Sequence, residues 1–154
     1  MIVQRVSVVL LAVLAVALGI NLLSASGRFV TAHDTYDRIE LELTTFQYVA
    51  ADAPIETTFV ARNPTSRAIE VIEIELGLNV GVHRVGGGVA RPRAVVPVGE
   101  ELATPMRLVI YDIDYVQRRD DGALDWRLRG RILVRIDPDI DPEWIPFTVR
   151  HLPE

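Results

Sequence analysis

The chain contains no cysteine and no lysine, and its 154 residues include only four serines and three histidines. Without cysteine it has no thiolate nucleophile, disulfide, iron–sulfur ligand or Cys-type zinc site. Without lysine it has neither a Schiff-base amine nor a phosphate-loop lysine. Few serines and histidines remain to build a hydrolase. We therefore expect a protein that is not an enzyme and that carries no cofactor.

The basic residues are all arginine, sixteen in number, against twenty-one acidic residues, and the net charge is −5. Arg5 lies just before a long apolar run that we assign to the membrane below. The rest of the chain therefore has fifteen arginines against the twenty-one acidic residues. Binding to nucleic acid depends largely on positive charge that neutralises phosphates. We expect no nucleic-acid partner.

A long apolar run extends from Val6 to Leu23, and its eighteen residues would make about 27 Å of helix, close to the roughly 30 Å hydrocarbon core of a bilayer. The run predicts a transmembrane anchor over residues 1–24. Arg5 favours a cytoplasmic N-terminus and a single pass through the cell membrane, with the C-terminal domain outside the cytoplasm. The residues assigned to this membrane span include Val6, Leu10, Leu14, Leu18 and Leu22.

A cleaved signal peptide is the alternative interpretation of this run. Met1–Arg5 would be its charged start, and Ser24–Ser26 would supply the small residues of a cleavage site. We favour the uncleaved anchor, and both interpretations export the rest of the chain. Small residues at three- and four-residue spacing (Ala12, Ala15 and Gly19) are candidate contacts with helices of other membrane proteins.

A change of hydrophobic period marks the rest of the chain. After a linker over residues 25–36, apolar residues alternate with polar ones through a domain at residues 37–154, a pattern typical of strands. A shift of parity predicts a bulge near Thr45, and Gly86–Gly88 is expected to be a mobile hairpin tip. One helical turn is expected within Tyr111–Arg119. The predicted strands are Ile39–Tyr48, Ile55–Arg62, Ile72–Asn79, Val80–Val85, Ala94–Val96, Leu102–Ile110, Leu124–Ile136 and Trp144–Arg150.

The strand at Leu124–Ile136 has the clearest alternation. Trp126, Leu128 and the following even-numbered residues share one face, whereas the arginines share the other. One apolar and one charged face is typical of antiparallel sheets packed face to face. We predict an all-β fold, an immunoglobulin- or fibronectin III-like antiparallel β-sandwich preceded by one N-terminal transmembrane helix.

Several short motifs of the domain resemble the late embryogenesis abundant type 2 family, also called the water stress and hypersensitive response (WHy) domain, in its single-span membrane-anchored form. These motifs are Phe59–Pro64, Ile69–Val80, Pro97–Glu100, Trp126–Ile132 and Ile145–Phe147. The resemblance implies a seven-stranded immunoglobulin-like sandwich without catalytic residues. It also implies roles that range from desiccation protection to lipid handling and partnership with membrane proteins.

The arginines of the last long strand allow two interpretations. They could form a face that binds anions or an acidic partner. They could instead form cross-strand ion pairs with Glu73 and Glu75, because opposite charges on paired strands stabilise a sheet. We favour the ion pairs. The four arginines are Arg127, Arg129, Arg131 and Arg135.

After this strand, acidic residues are interleaved with prolines. Because Ca²⁺ takes oxygen ligands, these acidic residues are a weak candidate for a calcium site. Pro142 stands where a calcium loop of the EF-hand type requires glycine, so we favour a stiff turn and expect no metal. The residues are Asp137, Asp139, Asp141 and Glu143. Asn63 is expected to cap the turn that it begins, and Trp144 is a candidate for the lipid interface.

Two function classes remain from the sequence. The first is a non-enzymatic, membrane-anchored binding or protective module exposed outside the cytoplasm. The alternative is an accessory structural subunit that packs through its single span against a larger membrane protein complex.

Overall fold

A computed structural model describes residue 36, residues 38–119 and residues 124–149. The predicted anchor over residues 1–24 and, apart from Tyr36, the predicted linker lie outside the described residues. Within the described ranges, no helix has both the length and the apolar character needed to cross a membrane. The elements are β1 (Glu40–Gln47), β2 (Ile55–Arg62), β3 (Ile69–Val80), β4 (His83–Ala90), β5 (Ala94–Val96), β6 (Glu101–Ile110), α1 (Ile113–Gln117), β7 (Trp126–Arg135) and β8 (Glu143–Val149).

Most strand predictions agree with these bounds, but the strand predicted at Val80–Val85 is wrong: Val80 ends β3, residues 81–82 form a turn, and β4 runs from His83 to Ala90. The second and fifth strands begin and end where the alternation predicts, at Ile55–Arg62 and Ala94–Val96. The bulge expected near Thr45 is confirmed as a register shift between Leu43 and Thr45. The single helical turn is confirmed as α1, which Asp112 caps by accepting a hydrogen bond from the Tyr115 backbone N–H.

The strands form one antiparallel path in the order β1-β2-β6-β4-β3-β7-β8, with β5 beside the first residues of β3. The sequence predicts an all-β antiparallel fold, which is confirmed. Strands β1 and β2 form one arm of the sheet, and β3, β4, β7 and β8 form the other. Strand β6 joins them, because its residues from Glu101 to Leu108 pair with β2 and its last two, Val109 and Ile110, pair with β4. The result is a curled sheet.

The two arms of the curled sheet enclose the core. Phe59 of β2 packs against Phe147 of β8 with ring centroids 4.9 Å apart, and Phe46 of β1 meets Trp126 of β7 at 5.9 Å. Burial of such apolar side chains is the main favourable contribution to the free energy of folding. The largest fully buried side chains include Ile55, Phe59, Ile69, Ile74, Leu76, Leu78, Leu108, Leu128 and Ile132.

The glycine run at Gly86–Gly88 lies inside β4, so the expectation of a mobile hairpin tip is wrong. It pairs with Leu76, Gly77 and Leu78 of β3 on one side, and its first two residues pair with β6 on the other. A Cβ atom at Gly88 would stand 2.5 Å from the Arg107 carbonyl oxygen. Glycine is needed here because the neighbouring backbones approach too closely for a side chain.

Asn63 connects the turn after β2 to the turn before β6, which confirms and extends its predicted role as a cap. Its side chain is buried, and its amide nitrogen donates to the carbonyl oxygens of Arg67, Val96 and Pro97 at 2.8, 2.9 and 3.1 Å. Its amide oxygen accepts from the backbone N–H of Thr65 at 3.2 Å and from the Thr65 hydroxyl at 2.6 Å. One side chain therefore fixes the start of β3 relative to the end of β5.

Candidate functional site

Strand β7 presents its arginines on the outer face of the sheet, as the alternation predicts. Leu128, Ile132 and Val134 are fully buried on the inner face. The odd-numbered positions between them point outward, and Arg127, Arg129 and Arg131 are exposed. We call the outward side chains of β3, β4, β7 and β8 the arginine face.

One predicted cross-strand ion pair, with Glu75, is present, together with a pair to Glu70 that the sequence did not predict. Arg131 Nε donates to Glu75 Oε2 at 2.6 Å, and Arg135 Nη1 donates to Glu70 Oε2 at 3.1 Å. Glu73 does not take part, because a register shift between Val71 and Glu73 displaces it, and its carboxylate binds Arg91 instead at 2.8 Å. The ion-pair interpretation is confirmed for Glu75 and wrong for Glu73.

Arg131 is the most strongly held of the four predicted arginines. Its guanidinium carbon lies 4.2 Å from the centroid of the Trp144 ring, a cation–π contact, while its Nε binds Glu75. The hydrogen bond from Arg131 lowers the pKa of Glu75 below its ordinary value, and it raises the pKa of Arg131. Trp144 is half-buried on the arginine face, and its predicted place at a lipid interface stays a prediction.

Arg127 and Arg129 differ in their partners. Arg127 binds Asp125, two residues earlier in the chain, at 2.8 Å. Arg129 stands opposite Gly77 in the β3–β7 register, where β3 offers no side chain. Among the described residues, Arg129 has no carboxylate within 4 Å. The structure therefore separates Arg129 from the three other predicted arginines.

A groove of about 390 Å³ opens on the arginine face around Gly77. Arg84 and Arg129 line it, and the Glu75–Arg131 pair lines it as well. A Cβ atom at Gly77 would lie 3.4 Å from Arg84 Nε and 3.3 Å from the Arg129 carbonyl oxygen, so the Arg84 side chain reaches over the glycine. The full lining is Glu75, Gly77, Asn79, Arg84, Arg129, Gly130, Arg131 and Pro146.

Arg84 reaches the groove from a bulge in β4. Leu78 pairs with Gly86 but Asn79 pairs with Arg84, so Val85 is the extra residue. The Val85 carbonyl oxygen accepts hydrogen bonds from the backbone N–H groups of Tyr111 and Asp112 at 2.9 and 3.2 Å, which hold the bulge in place. Bulges commonly redirect a side chain in this way.

The sequence alone does not associate Arg84 with β7. Arg84 lies forty-five positions before Arg129, and it belongs to a segment that the sequence assigns to a different short strand. The signal that could have found it is Gly77. This residue leaves an outward position of a charged strand without a side chain, which marks a gap in the face.

The acidic segment after β7 forms a turn. Asp137 Oδ1 accepts a hydrogen bond from the Asp139 backbone N–H at 3.0 Å, and the Ile140 N–H donates to the Asp137 carbonyl at the same distance. In the ranges that the structure describes, no three histidine, cysteine or acidic side chains converge to hold a metal ion. Among the described residues, Asp141 and Glu143 therefore do not gather with Asp137 and Asp139 into a metal-binding group.

A second polar cluster lies at the start of α1. His83 Nε2 and Asp112 Oδ2 are 2.9 Å apart, and the His83 ring packs on the Tyr115 ring at 4.1 Å. The hydrogen bond from His83 lowers the pKa of Asp112. The Arg119 guanidinium carbon also lies over the Tyr115 ring, 4.2 Å from its centroid, in a cation–π contact. The cluster joins α1 to β4 and leaves its groups paired with one another.

Comparisons with known proteins give structural likeness alone. No family model matches the chain, and no curated protein matches it. A crystal structure of a protein from Archaeoglobus fulgidus is 16% identical, with a TM-score of 0.45, and covers 74% of this chain and 99% of its own.

Two solution structures are similar to the same extent. One, of a protein provisionally described as late embryogenesis abundant, is 14% identical with a TM-score of 0.49 and covers 84% of this chain and 80% of its own. The other, of a protein from Arabidopsis thaliana, is 20% identical with a TM-score of 0.44 and covers 73% and 79%. All three TM-scores lie below 0.5, so they carry no conclusion about function.

Proposed function

We propose that the chain is a non-enzymatic binding module, anchored in the cell membrane through residues 1–24, that holds its partner on the arginine face outside the cytoplasm. The observation that carries this proposal is the groove around Gly77. Arg84 and Arg129 line it, and neither has a carboxylate within 4 Å among the described residues. An arginine without a counter-charge is a common feature of surfaces that recognise an acidic group.

Several arginines elsewhere in the domain form ion pairs with glutamates, and their contrast with the two groove arginines supports a binding function. Arg62, Arg91, Arg107 and Arg131 each donate to a glutamate at 2.6 to 2.9 Å. Ion pairs of this kind belong to the sheet itself, because the two partners stand on neighbouring strands or turns. Arg84 and Arg129 have no such partner and together line one groove, which favours a binding role over a purely structural one.

The proposal also covers the family to which the domain belongs and the type of β-fold that it adopts. We propose that the domain belongs with the late embryogenesis abundant type 2 domains and that its curled sheet is an immunoglobulin-like sandwich. The all-β path and the Asn63 turn at the end of the Phe59–Pro64 motif support this assignment.

The test is the native mass of the full chain after gentle detergent extraction, with mass spectrometry of the species that travel with it. We expect a companion that is lost when Arg84→Gln and Arg129→Gln are combined. The matched control combines Arg62→Gln and Arg107→Gln, which removes the same charge from two ion-paired arginines. Loss of the companion in both double variants, or in neither, would contradict a partner on the arginine face.

The accessory-subunit alternative predicts a different variant. If the span packs against other membrane helices, replacing Ala15 and Gly19 with leucine should release the companion, because bulk on a small-residue face prevents close helix contact. A companion that survives this change and is lost with Arg84 and Arg129 identifies the arginine face as the binding surface.

A further inference from the structure

We infer that the groove around Gly77 binds a phosphate-class oxyanion between the guanidinium groups of Arg84 and Arg129. This inference rests on the proposed function of the arginine face and adds the chemistry of the group that the face recognises. The oxyanion can belong to a lipid headgroup or to a small soluble phosphate, and the same two arginines would hold either one.

The charge of the groove is the first argument. Three arginines and one glutamate line it, whereas the whole chain carries a net charge of −5. Arg131 holds Glu75 through their 2.6 Å hydrogen bond, whereas Arg84 acts on that carboxylate only through its charge and forms no ion pair with it. The local excess of positive charge is therefore available to a ligand, and a concave site concentrates such a field.

The type of donor is the second argument. A guanidinium presents several N–H donors in a rigid plane and binds the oxygens of phosphate in pairs. Two guanidinium groups, from β4 and β7, suit a doubly charged anion with three or more oxygens better than a single carboxylate.

The shape of the site is the third argument. Gly77 carries no side chain, so the Arg84 guanidinium lies directly over the β3 backbone, at the position that pairs with Arg129. The groove volume of about 390 Å³ leaves room for the phosphate and for part of the molecule that carries it. The hydrogen bonds to the Val85 carbonyl oxygen fix the backbone from which Arg84 extends.

The experiment is a calorimetric titration of the full chain, in a neutral detergent and a buffer free of phosphate and sulfate, with inorganic phosphate. We expect saturable binding, and we expect Kd to rise at least tenfold when Arg84→Gln and Arg129→Gln are combined. The Arg62→Gln/Arg107→Gln double variant, of equal net charge, should bind like the wild type. An absence of saturable binding, or an equal loss in both double variants, would overturn the inference.

A second variant tests the placement of the ligand without changing any charge. Gly77→Val places a branched side chain where the Arg84 guanidinium lies and so displaces Arg84, and circular dichroism checks that the sheet is retained. We expect it to weaken phosphate binding as strongly as the double arginine variant does. Unchanged binding would place the anion elsewhere and overturn the assignment to this groove.

A competition arm separates the two sources of phosphate. Short-chain phosphatidic acid, titrated in the same detergent, should displace inorganic phosphate if the groove takes a lipid headgroup. Binding of inorganic phosphate without such displacement supports a soluble phosphate as the ligand. A silent phosphate titration, together with a companion protein that depends on Arg84 and Arg129, would remove this inference and leave the proposed function intact.

Discussion

Arg131 Nε and Glu75 Oε2 meet at 2.6 Å across β3 and β7, in the register where the two residues are direct partners. The pair fixes one wall of the groove and sets β7 against β3. It also makes the stability of the domain depend on the ionisation of one carboxyl group, since the pKa of Glu75 is lower in the folded chain than its ordinary value of 4.5.

The first prediction follows from this pKa. Because the pKa of Glu75 is lower in the folded state, the pair stabilises the fold fully above pH 4.5 and loses its contribution as the pH falls through the folded-state pKa. We expect Glu75→Gln to melt at a lower temperature than the wild type at pH 7 and at the same temperature at the acid end of the series. Thermal melts from pH 7 downward measure the difference.

Glu100→Gln is the control for this series, because Glu100 is exposed and none of its side-chain atoms forms a described ion pair. Its melting temperature should differ from the wild type by a small and constant amount. A Glu75→Gln difference that persists unchanged into acid would show that the carboxylate is not what stabilises the pair.

A second prediction concerns Asn63. Asn63→Asp would replace an amide that donates to three carbonyl oxygens with a buried carboxylate that repels them. Each buried polar group left without a partner costs about 1–3 kcal/mol, so we expect a loss on the order of several kcal/mol and, in many conditions, an unfolded domain. Urea denaturation followed by tryptophan fluorescence measures it.

Asn79→Ala gives the matched comparison for Asn63. The Asn79 amide makes one exposed hydrogen bond, to the Arg127 carbonyl oxygen at 3.1 Å. Substitutions at such surface positions usually stay within about 0.5 kcal/mol. Equal effects of the two substitutions would contradict the structural role assigned to Asn63.

The third prediction compares two glycines that face each other in the sheet. A Cβ atom at Gly87 would lie 2.5 Å from the Leu76 carbonyl oxygen, so Gly87→Ala forces the backbone apart and should cost about 1–3 kcal/mol or more. At Gly77 the nearest backbone atom is 3.3 Å away, and we expect Gly77→Ala to change stability by less than about 1 kcal/mol. Urea midpoints for the two variants should therefore separate clearly, and similar midpoints would contradict the close approach of β3 and β4.

The fourth prediction concerns the anchor. If residues 1–24 span the membrane, the full chain should stay with the membrane fraction after alkaline carbonate washing, and Leu10→Arg combined with Leu14→Arg should release it. Charge at the centre of a span costs about 2.5–3.5 kcal/mol per arginine on insertion scales. Val82→Arg is the control, since Val82 is 97% exposed in the domain and should not affect fractionation. Retention of the double variant would contradict an anchor at this position.

Much of the fold follows from the alternation of side chains. β7 is predictable because Leu128 and Ile132 alternate with arginines over a long strand, and a period of two assigns each residue to a face. The Asn63 turn is predictable because Asn-Pro marks the end of an extended segment. The glycine run is not, because a glycine has no side chain to report whether solvent or a neighbouring backbone surrounds it.

The pairing of charges is less predictable than their faces. The sequence places Glu73 and Glu75 on one strand, but after the register shift between Val71 and Glu73, Glu75 stands opposite Arg131 whereas Glu73 stands opposite Leu133. A change of parity reveals the bulge near Thr45, but Val71 and Ile72 are both apolar, so the alternation does not place this second shift. The same limit hides Arg84, whose approach to Arg129 depends on the extra residue Val85 in β4.

Strand β6 also has a consequence for how the chain is made. β2 ends at Arg62, and the strand that covers its second edge, Glu101–Ile110, follows about forty residues later. A chain that emerges N-terminus first therefore carries the β1–β2 hairpin with the second edge of β2 open until residue 110 has appeared, and open edges invite pairing with other chains. Folding through such distant contacts is slow, so the second edge of β2 stays exposed after the β1–β2 hairpin has formed.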